Sequence, residues 1–315
     1  MEPKVVRWVL AHEPIEIFIR AAEKFAEIIE KNAPGALKIE ILMLSEYSKK
    51  YQQGKKITKH DLLDLMAADE IEMSQMYTYV LSKFNKDLNI LDMPFLFKDH
   101  EHAASVFEGQ IGQDLLSGYE KSNSNIKGLA FTYSGGYKTL PFNKKVTCLS
   151  DIKGAKVRVS NSPVCFDTFS ALGATPIVMD VEEITPGIKD GRIDAGESSW
   201  PRIYGCDQNT VAKSILNTSH SLLLTNIIIN TNFFNSLNAD LQQIIIDAAV
   251  EAGRFERQIS VDDVEPTKNR ANADGINVVE LTDSDKLLFK EQVQSVYVKY
   301  QNYFSPGLLD KIRLN

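Results

Sequence analysis

The sequence predicts an α/β protein of two lobes. Three observations predict it: a strand-helix-strand opening, a second α/β series beginning at residue 126, and one long amphipathic helical pattern after Asn238. In the opening, "VVRWVLA" alternates as a strand does, and Phe18, Ala22, Phe25 and Ile29 then recur at helical spacing until "NAPGA" stops the helix. "LKIEIL" follows as the second strand. A strand-helix-strand unit of this length implies a right-handed crossover onto a parallel sheet. Residues 58–68, "TKHDLLDLMAA", predict a short helix capped by Thr58, with an extended "IEMSQM" after it. "LDMPFLF" at 91–97 is an apolar segment bent at Pro94, and "DHEHAASVFEGQIGQDLLSGYEKS" is an amphipathic helix. The second series runs strand "IKGLAFTY", strand "KVRVS", helix "PVCFDTFSALG", strand "TPIVM", helix "EEITPGIKDG" and strand "IDAGESS".

From Ala239 to about residue 265 the pattern is one long helix with Leu241, Ile244, Ile245, Ala248 and Ala252 on one face. At 1.5 Å per residue it reaches about 40 Å, enough to brace both lobes. The expected division is 1–128 plus about 215–240 for the first lobe and 129–214 plus about 255–315 for the second, with 239–265 as the brace. No Gly/Ser-rich tether separates them, so the chain is expected to cross between lobes through strands.

Charge has to be read locally. Against 42 Asp plus Glu there are 35 Lys plus Arg, a net charge of −7, so the chain as a whole repels nucleic acid and anionic membranes. A small anionic ligand would need a local positive pocket. Apolar runs such as "SLLLTNIIIN" fall well short of the ~20 residues that span a bilayer. The start, "MEPKVVRWVLAHEP", has neither the apolar region nor the cleavage site of a secretory signal. Either the protein is cytosolic or this is a mature form whose signal was replaced by Met1. Cys148, Cys165 and Cys206 form no zinc-site spacing and allow at most one disulfide.

The chain has no GxGxxG, Walker-type, GxSxG or HExxH motif, so no cofactor and no metal are expected. His100 and His102 in "KDHEHAA" read as a solvated helix start. Binding groups are better represented. Arg158 lies between Val157 and Val159 in a strand bounded by Gly154 and "NSP", and a guanidinium there must meet either a neighbouring carboxylate or an anionic ligand. Lys138 in "GGYK" is either a solvated turn or a second cation beside glycines that let backbone approach a guest. "AGESSW" offers Glu197, Ser198 and Trp200 for hydrogen bonding and stacking, or a helix start with a core tryptophan.

The ordered segments "FIRAAEKFAEIIEKNAPGALKIEIL", "LDMPFLF", "SDIKGAKVRVSNSP", "LGATPIVM", "EEITPGIKDGRIDAGES" and "SHSLLLTNIIINTNFFNSLNADLQQIIIDAAVEAG" resemble the extracytoplasmic solute-binding proteins of TRAP transporters, the DctP-type family, from about residue 5 to 312. The resemblance implies a two-lobed periplasmic-binding-protein fold, each lobe a mostly parallel sheet flanked by helices. It further implies a periplasmic receptor that closes on a small organic acid and hands it to a sodium-coupled membrane permease; a monomer is expected. The arginine of the family's GxKxRV segment, a ligand contact, falls on Arg158, which would hold a substrate carboxylate in a bidentate, water-excluded pair. Asn161 matches an asparagine shortly after that arginine. Glu183 matches a glutamate before the GxxD turn, where Gly191 and Asp194 stand.

Lys138 stands where many carboxylate-binding members carry a second arginine, and Ser198 where sialate-type receptors have asparagine. His12 and Glu13 fall at another pocket position of the family, Glu13 being either an acceptor for hydroxyls or an ammonium, or a helix-dipole partner. Arg158 with Glu13, Glu197, Asn161 and Ser198 suits a sugar acid or hydroxy acid; apolar walls such as Phe166 would favour a keto or aromatic acid. Two rival readings share these residues. One is an enzyme acting on a small anion with His12 or His220 as general base, and the other is a ligand sensor docking on a membrane kinase.

Overall fold

A computed structural model describes residues 2–11 and 16–315. Contacts divide the chain into two compact units: Met1–Asn85, Ala104–Tyr133 and Leu224–Ile259 form the first, and Lys86–Ala103, Ser134–Leu223 and Ser260–Asn315 the second. Among the described residues the strands are, in chain order, β1 (Lys4–Leu10), β2 (Leu37–Met43), β3 (Met73–Tyr77), β4 (Ile126–Tyr137), β5 (Leu140–Phe142), β6 (Lys156–Val159), β7 (Thr175–Val178), β8 (Ala195–Gly196), β9 (Ser214–Asn217), β10 (Leu222–Asn230) and β11 (Asn277–Glu280).

The first unit carries a five-stranded sheet in the order β2-β1-β3-β10-β4. β1 runs parallel to β2 and β3, and β10 antiparallel to β3. The periodicity of the first helix is realised in Glu16–Asn32, which buries Phe18, Ala22, Phe25 and Ile29; Phe25 meets Trp8 of β1 edge-on at 5.0 Å. Thr58 caps Lys59–Ala67 by accepting the Asp61 N–H. The helix expected over 99–122 is two, His100–Glu108 and Gln110–Lys121, because Gly109 takes extended backbone between them.

The second unit carries a six-stranded sheet in the order β11-β9-β5-β8-β6-β7. β6 is parallel to β7 and β8, β9 is parallel to β11, and β5 is antiparallel to β8 and β9. Most described pairings in both sheets are therefore parallel. The long helix spans Ala239–Asp262, and a separate helix, Val264–Ala273, follows it. Of the five unit boundaries, one follows Asn85, one falls inside helix His100–Glu108, and the others fall inside β4, β10 and the long helix.

Residues 86–103, expected with the first lobe, belong to the second unit. Their side chains explain it: Phe95 packs edge-on against Phe289 at 5.0 Å, Asp92 reaches Lys138, and Tyr297 donates to the Pro94 carbonyl at 2.6 Å. β9 likewise joins the second unit's sheet, which moves the start of the returning first-unit segment from about 215 to Leu224. No helix among the described residues is long and apolar enough to cross a membrane.

Candidate functional site

The site around Arg158 lies within the second unit. Arg158 sits in β6 with β7 and β8 as neighbours, opposite Ile177 and Gly196. Gly196 permits that packing, because a Cβ there would come within 2.9 Å of the Ile184 side chain. The Arg158 side chain is 2% exposed. Its Nε donates to the Met179 carbonyl at 2.8 Å and its Nη1 to the Glu197 carbonyl at 3.0 Å, while Nη2 is buried with no partner. No carboxylate among the described residues pairs with it. A guanidinium has five N–H donors, and here the end that carries Nη2 remains open. Ser162, at the start of helix Pro163–Ala171, is also buried with its Oγ unpartnered.

Lys138 follows β4, whose end runs through Gly135 and Gly136, both at positive φ. Gly135 has φ +95°, and a Cβ there would sit 2.5 Å from the Pro201 ring. The solvated turn is corrected: the segment is a strand end, and Gly135, Gly136 and Lys138 are buried. Lys138 Nζ lies 3.3 Å from Asp92 Oδ1, 3.2 Å from Glu197 Oε1 and 3.3 Å from Cys165 Sγ. Glu197 Oε1 also meets His220 Nε2 at 3.1 Å, and Oε2 accepts the Ser160 N–H at 3.4 Å. His220 Nδ1 is 2.8 Å from Thr218 Oγ1, with its ring edge-on to Phe169 and stacked on Phe289.

Burial works on each of these groups, and the neighbours decide the outcome. For Glu197 burial alone would raise the pKa, but the Lys138 charge, the His220 hydrogen bond and Arg158 hold the carboxyl well below its ordinary range. Burial disfavours the Lys138 ammonium, yet its acidic neighbours raise its pKa, and of these Glu197 and Asp92 carry the negative charge. Burial lowers His220 despite the pull of Glu197, which favours the neutral imidazole. Burial pushes the Cys165 thiol up, so it stays protonated. All three cysteines are free.

Of the residues picked from sequence, the structure therefore brings Arg158, Lys138 and Glu197 together. Lys138 has carboxylate partners of its own, and Glu197 is their shared acceptor. Ser198 Oγ donates to Gln208 Oε1 at 2.7 Å. Trp200 starts helix Trp200–Gly205 and packs with Ile203, Ala212, Ile215, Ala271 and Ile276 as a core tryptophan. Glu183 is exposed and paired with Arg192 at 2.7 Å. Asp194 is architectural, accepting the Lys156 N–H that opens β6 at 2.8 Å. Asn161 and Phe166 are exposed. His12 and Glu13 lie outside the described residues.

Asp92 and Ser162 were not singled out from sequence. A lone acid in the apolar run "ILDMPFLF" was the available signal for Asp92. His102 Nε2 is 2.7 Å from the Ile312 carbonyl, and no metal-holding cluster of His, Cys, Asp or Glu occurs among the described residues.

The model of the DctP family, bacterial extracellular solute-binding protein, family 7, matches residues 11–303. The chain is 27% identical to the 2,3-diketo-L-gulonate-binding periplasmic protein YiaO of Escherichia coli, over 89% of this chain and 82% of that protein. It is also 27% identical to the C4-dicarboxylate-binding periplasmic protein DctP of Rhodobacter capsulatus, over 94% of this chain and 86% of that one. Among solved structures, a TRAP periplasmic solute-binding protein from Pseudomonas putida with bound D-glucuronate superposes with a TM-score of 0.85 at 24% identity, covering 98% of this chain and 96% of that one.

Proposed function

The chain belongs to the DctP family of bacterial extracellular solute-binding proteins, family 7, and we propose that it is the periplasmic receptor of a sodium-coupled TRAP transporter, binding a small organic carboxylate at Arg158. The observation that carries this reading is Arg158 Nη2, buried and unpartnered while Nε and Nη1 are fixed by two carbonyls. A buried donor left unmade costs about 1–3 kcal/mol, more when charged. A ligand carboxylate approaching the Nη end offsets that cost through a charge-assisted hydrogen bond. The ligands named for the relatives, a keto sugar acid, C4-dicarboxylates and a hexuronate, are all organic acids, and a sugar acid or hydroxy acid is the class we favour.

Binding by hinge closure is supported by the connectivity: three of the five passages of the chain from unit to unit fall inside β4, β10 and the long helix rather than in a loose tether. Ligand stabilises the closed form by its differential affinity for it. Handing the solute to a permease is the step the family membership supports.

The test is a thermal-shift screen of hexuronates, aldonates, hydroxy acids, keto acids and C4-dicarboxylates. An acid at a hundred times its dissociation constant adds about 2.7 kcal/mol of stability, a clear rise in midpoint. The reading fails if no acid raises the midpoint and the protein as purified carries none.

A further inference from the structure

We infer that the first unit holds a second binding site, a cavity for a small amphiphilic anion with a compact apolar body and one carboxylate or sulfonate head. The cavity has a volume of about 400 Å³, within the range of about 300–1,000 Å³ typical of small-molecule sites. Every residue that lines it belongs to the first unit, whereas Arg158 belongs to the second. The inference therefore stands apart from the reading of Arg158.

Its walls are the edge strand β4, the helices His100–Glu108 and Gln110–Lys121, and the long helix. The long helix contributes Ile246, Val250, Arg254 and Arg257, spaced by four, four and three residues, which places them on one face. That face changes character along its length of about 16 Å. Ile246 and Val250 are apolar yet only half-buried, and they share the cavity with Phe107 and Leu116. Gly128 and Ala130 of β4, also in the wall, are too small to fill it. An apolar body seated there takes the exposed parts of these side chains out of water.

The other end of the face is basic. Arg254 Nε and Nη2 donate to Glu108 Oε2 at 3.0 and 2.7 Å, and Arg257 donates to the other oxygen of the same carboxylate. Two guanidiniums thus share one acid. Arg257 is fixed further by the Phe131 carbonyl at 2.7 Å, but Arg254 Nη1 reaches the exposed Glu251 at 3.5 Å, a distance at which a hydrogen bond is weak. Lys127 is paired with Glu120 at 3.1 Å. The lining carries three cations, Lys127, Arg254 and Arg257, against two carboxylates, Glu108 and Glu120, in a chain whose net charge is −7. That local excess of positive charge, beside a loosely held guanidinium, selects an anionic head. The Arg254 side chain is half exposed, so its pair with Glu108 is weak enough to be shared with a guest.

The experiment titrates the chain with anilinonaphthalene sulfonate and with phenylnaphthylamine, the same rings without the sulfonate, and reads the rise in dye fluorescence. The wild-type chain should bind the sulfonate dye at a single saturable site. Val250→Trp, which fills the cavity from the long helix, should abolish the binding of both dyes. Arg254→Gln, which removes a charge at a half-exposed position, should weaken the sulfonate dye severalfold and leave the affinity for the neutral dye unchanged. Arg158→Ala should alter neither. A wild-type chain without saturable binding of the sulfonate dye overturns the inference, as does binding that survives Val250→Trp or that Arg254→Gln leaves unchanged. Should Val250→Trp fail to fold, the response of the two dyes to Arg254→Gln decides alone. Loss of the dye in Arg158→Ala would assign it to the second unit: the inference then falls while the reading of Arg158 stands.

Discussion

Glu256 in the first unit and Glu197 in the second are both buried at 2% exposure or less, yet the protein holds one as a neutral acid and the other as a carboxylate. For Glu256 burial is the largest influence and raises its pKa well above the ordinary range, while Gln75, Thr132 and Arg257 pull only weakly the other way. Gln75 Nε2 lies 2.7 and 3.0 Å from the two carboxyl oxygens, and also within 2.9 Å of Thr132 and Thr225 Oγ1. The neighbouring Arg257 directs its guanidinium to the Phe131 carbonyl and to Glu108 instead. For Glu197 the same burial is overcome by a cation at 3.2 Å. The difference teaches that burial sets the direction of a carboxyl's shift only until a charge arrives. The neutral network ties the long helix to its sheet through Gln75; the charged one joins Asp92, Lys138, Glu197 and His220 within the second unit.

The contrast is broken most severely at Lys138. Lys138→Met leaves Asp92 and Glu197 buried without their cation, and removing one partner of a buried ion pair costs about 3–5 kcal/mol. Chemical denaturation should show that loss, and a change below about 1 kcal/mol would mean the two acids simply take up protons at little cost.

A smaller effect comes from pH. Glu256 has a folded pKa raised above its ordinary 4.5, so its contribution is full below about that pH and is lost as pH rises through the folded value. Glu197, lowered from 4.5, and His220, lowered from 6.5, act in the opposite sense: their contribution is present above the unfolded values and is lost as pH falls. The charged groups facing His220 are Glu197, Lys138 and Asp92. Glu256→Gln keeps the shape and one acceptor oxygen for Gln75 without the ionisation. It should change stability by no more than about 1 kcal/mol at pH 5 and should melt above the wild type at pH 9. Equal shifts at both pH values would show that Glu256 is not the titrating group.

The sequence made the local structure readable and the partners much less so. The helix over Glu16–Asn32 was legible because Phe18, Ala22, Phe25 and Ile29 recur at its own period. Arg158 was legible because a guanidinium among β-branched residues breaks a strand's pattern. Asp92 was not, because it meets Lys138 across 46 residues, and Lys138 meets Glu197 across 59. Only the folded sheet brings them together. For the same reason the sequence left Lys138 between a solvated turn and a second ligand cation, and Trp200 between a stacking surface and a core residue, when contacts distant in sequence pair the one and bury the other. β5, β9 and β11, of three or four residues, were missed, whereas the equally short β6 and β7 were legible as β-branched runs next to turn signals at Gly154 and Gly173.

The central claim is that Arg158 meets a ligand carboxylate, and a thermodynamic cycle tests it most directly. Using the best acid from the thermal-shift screen, one would measure the affinity of the acid and of its primary amide for the wild-type chain and for Arg158→Ala. Each single change should cost about 2–5 kcal/mol of binding, as truncating one side of a buried charge pair does. Together they should cost little more than either alone, because both remove the same contact. If the two losses add in full, the carboxylate sits elsewhere and Arg158 is a structural cation.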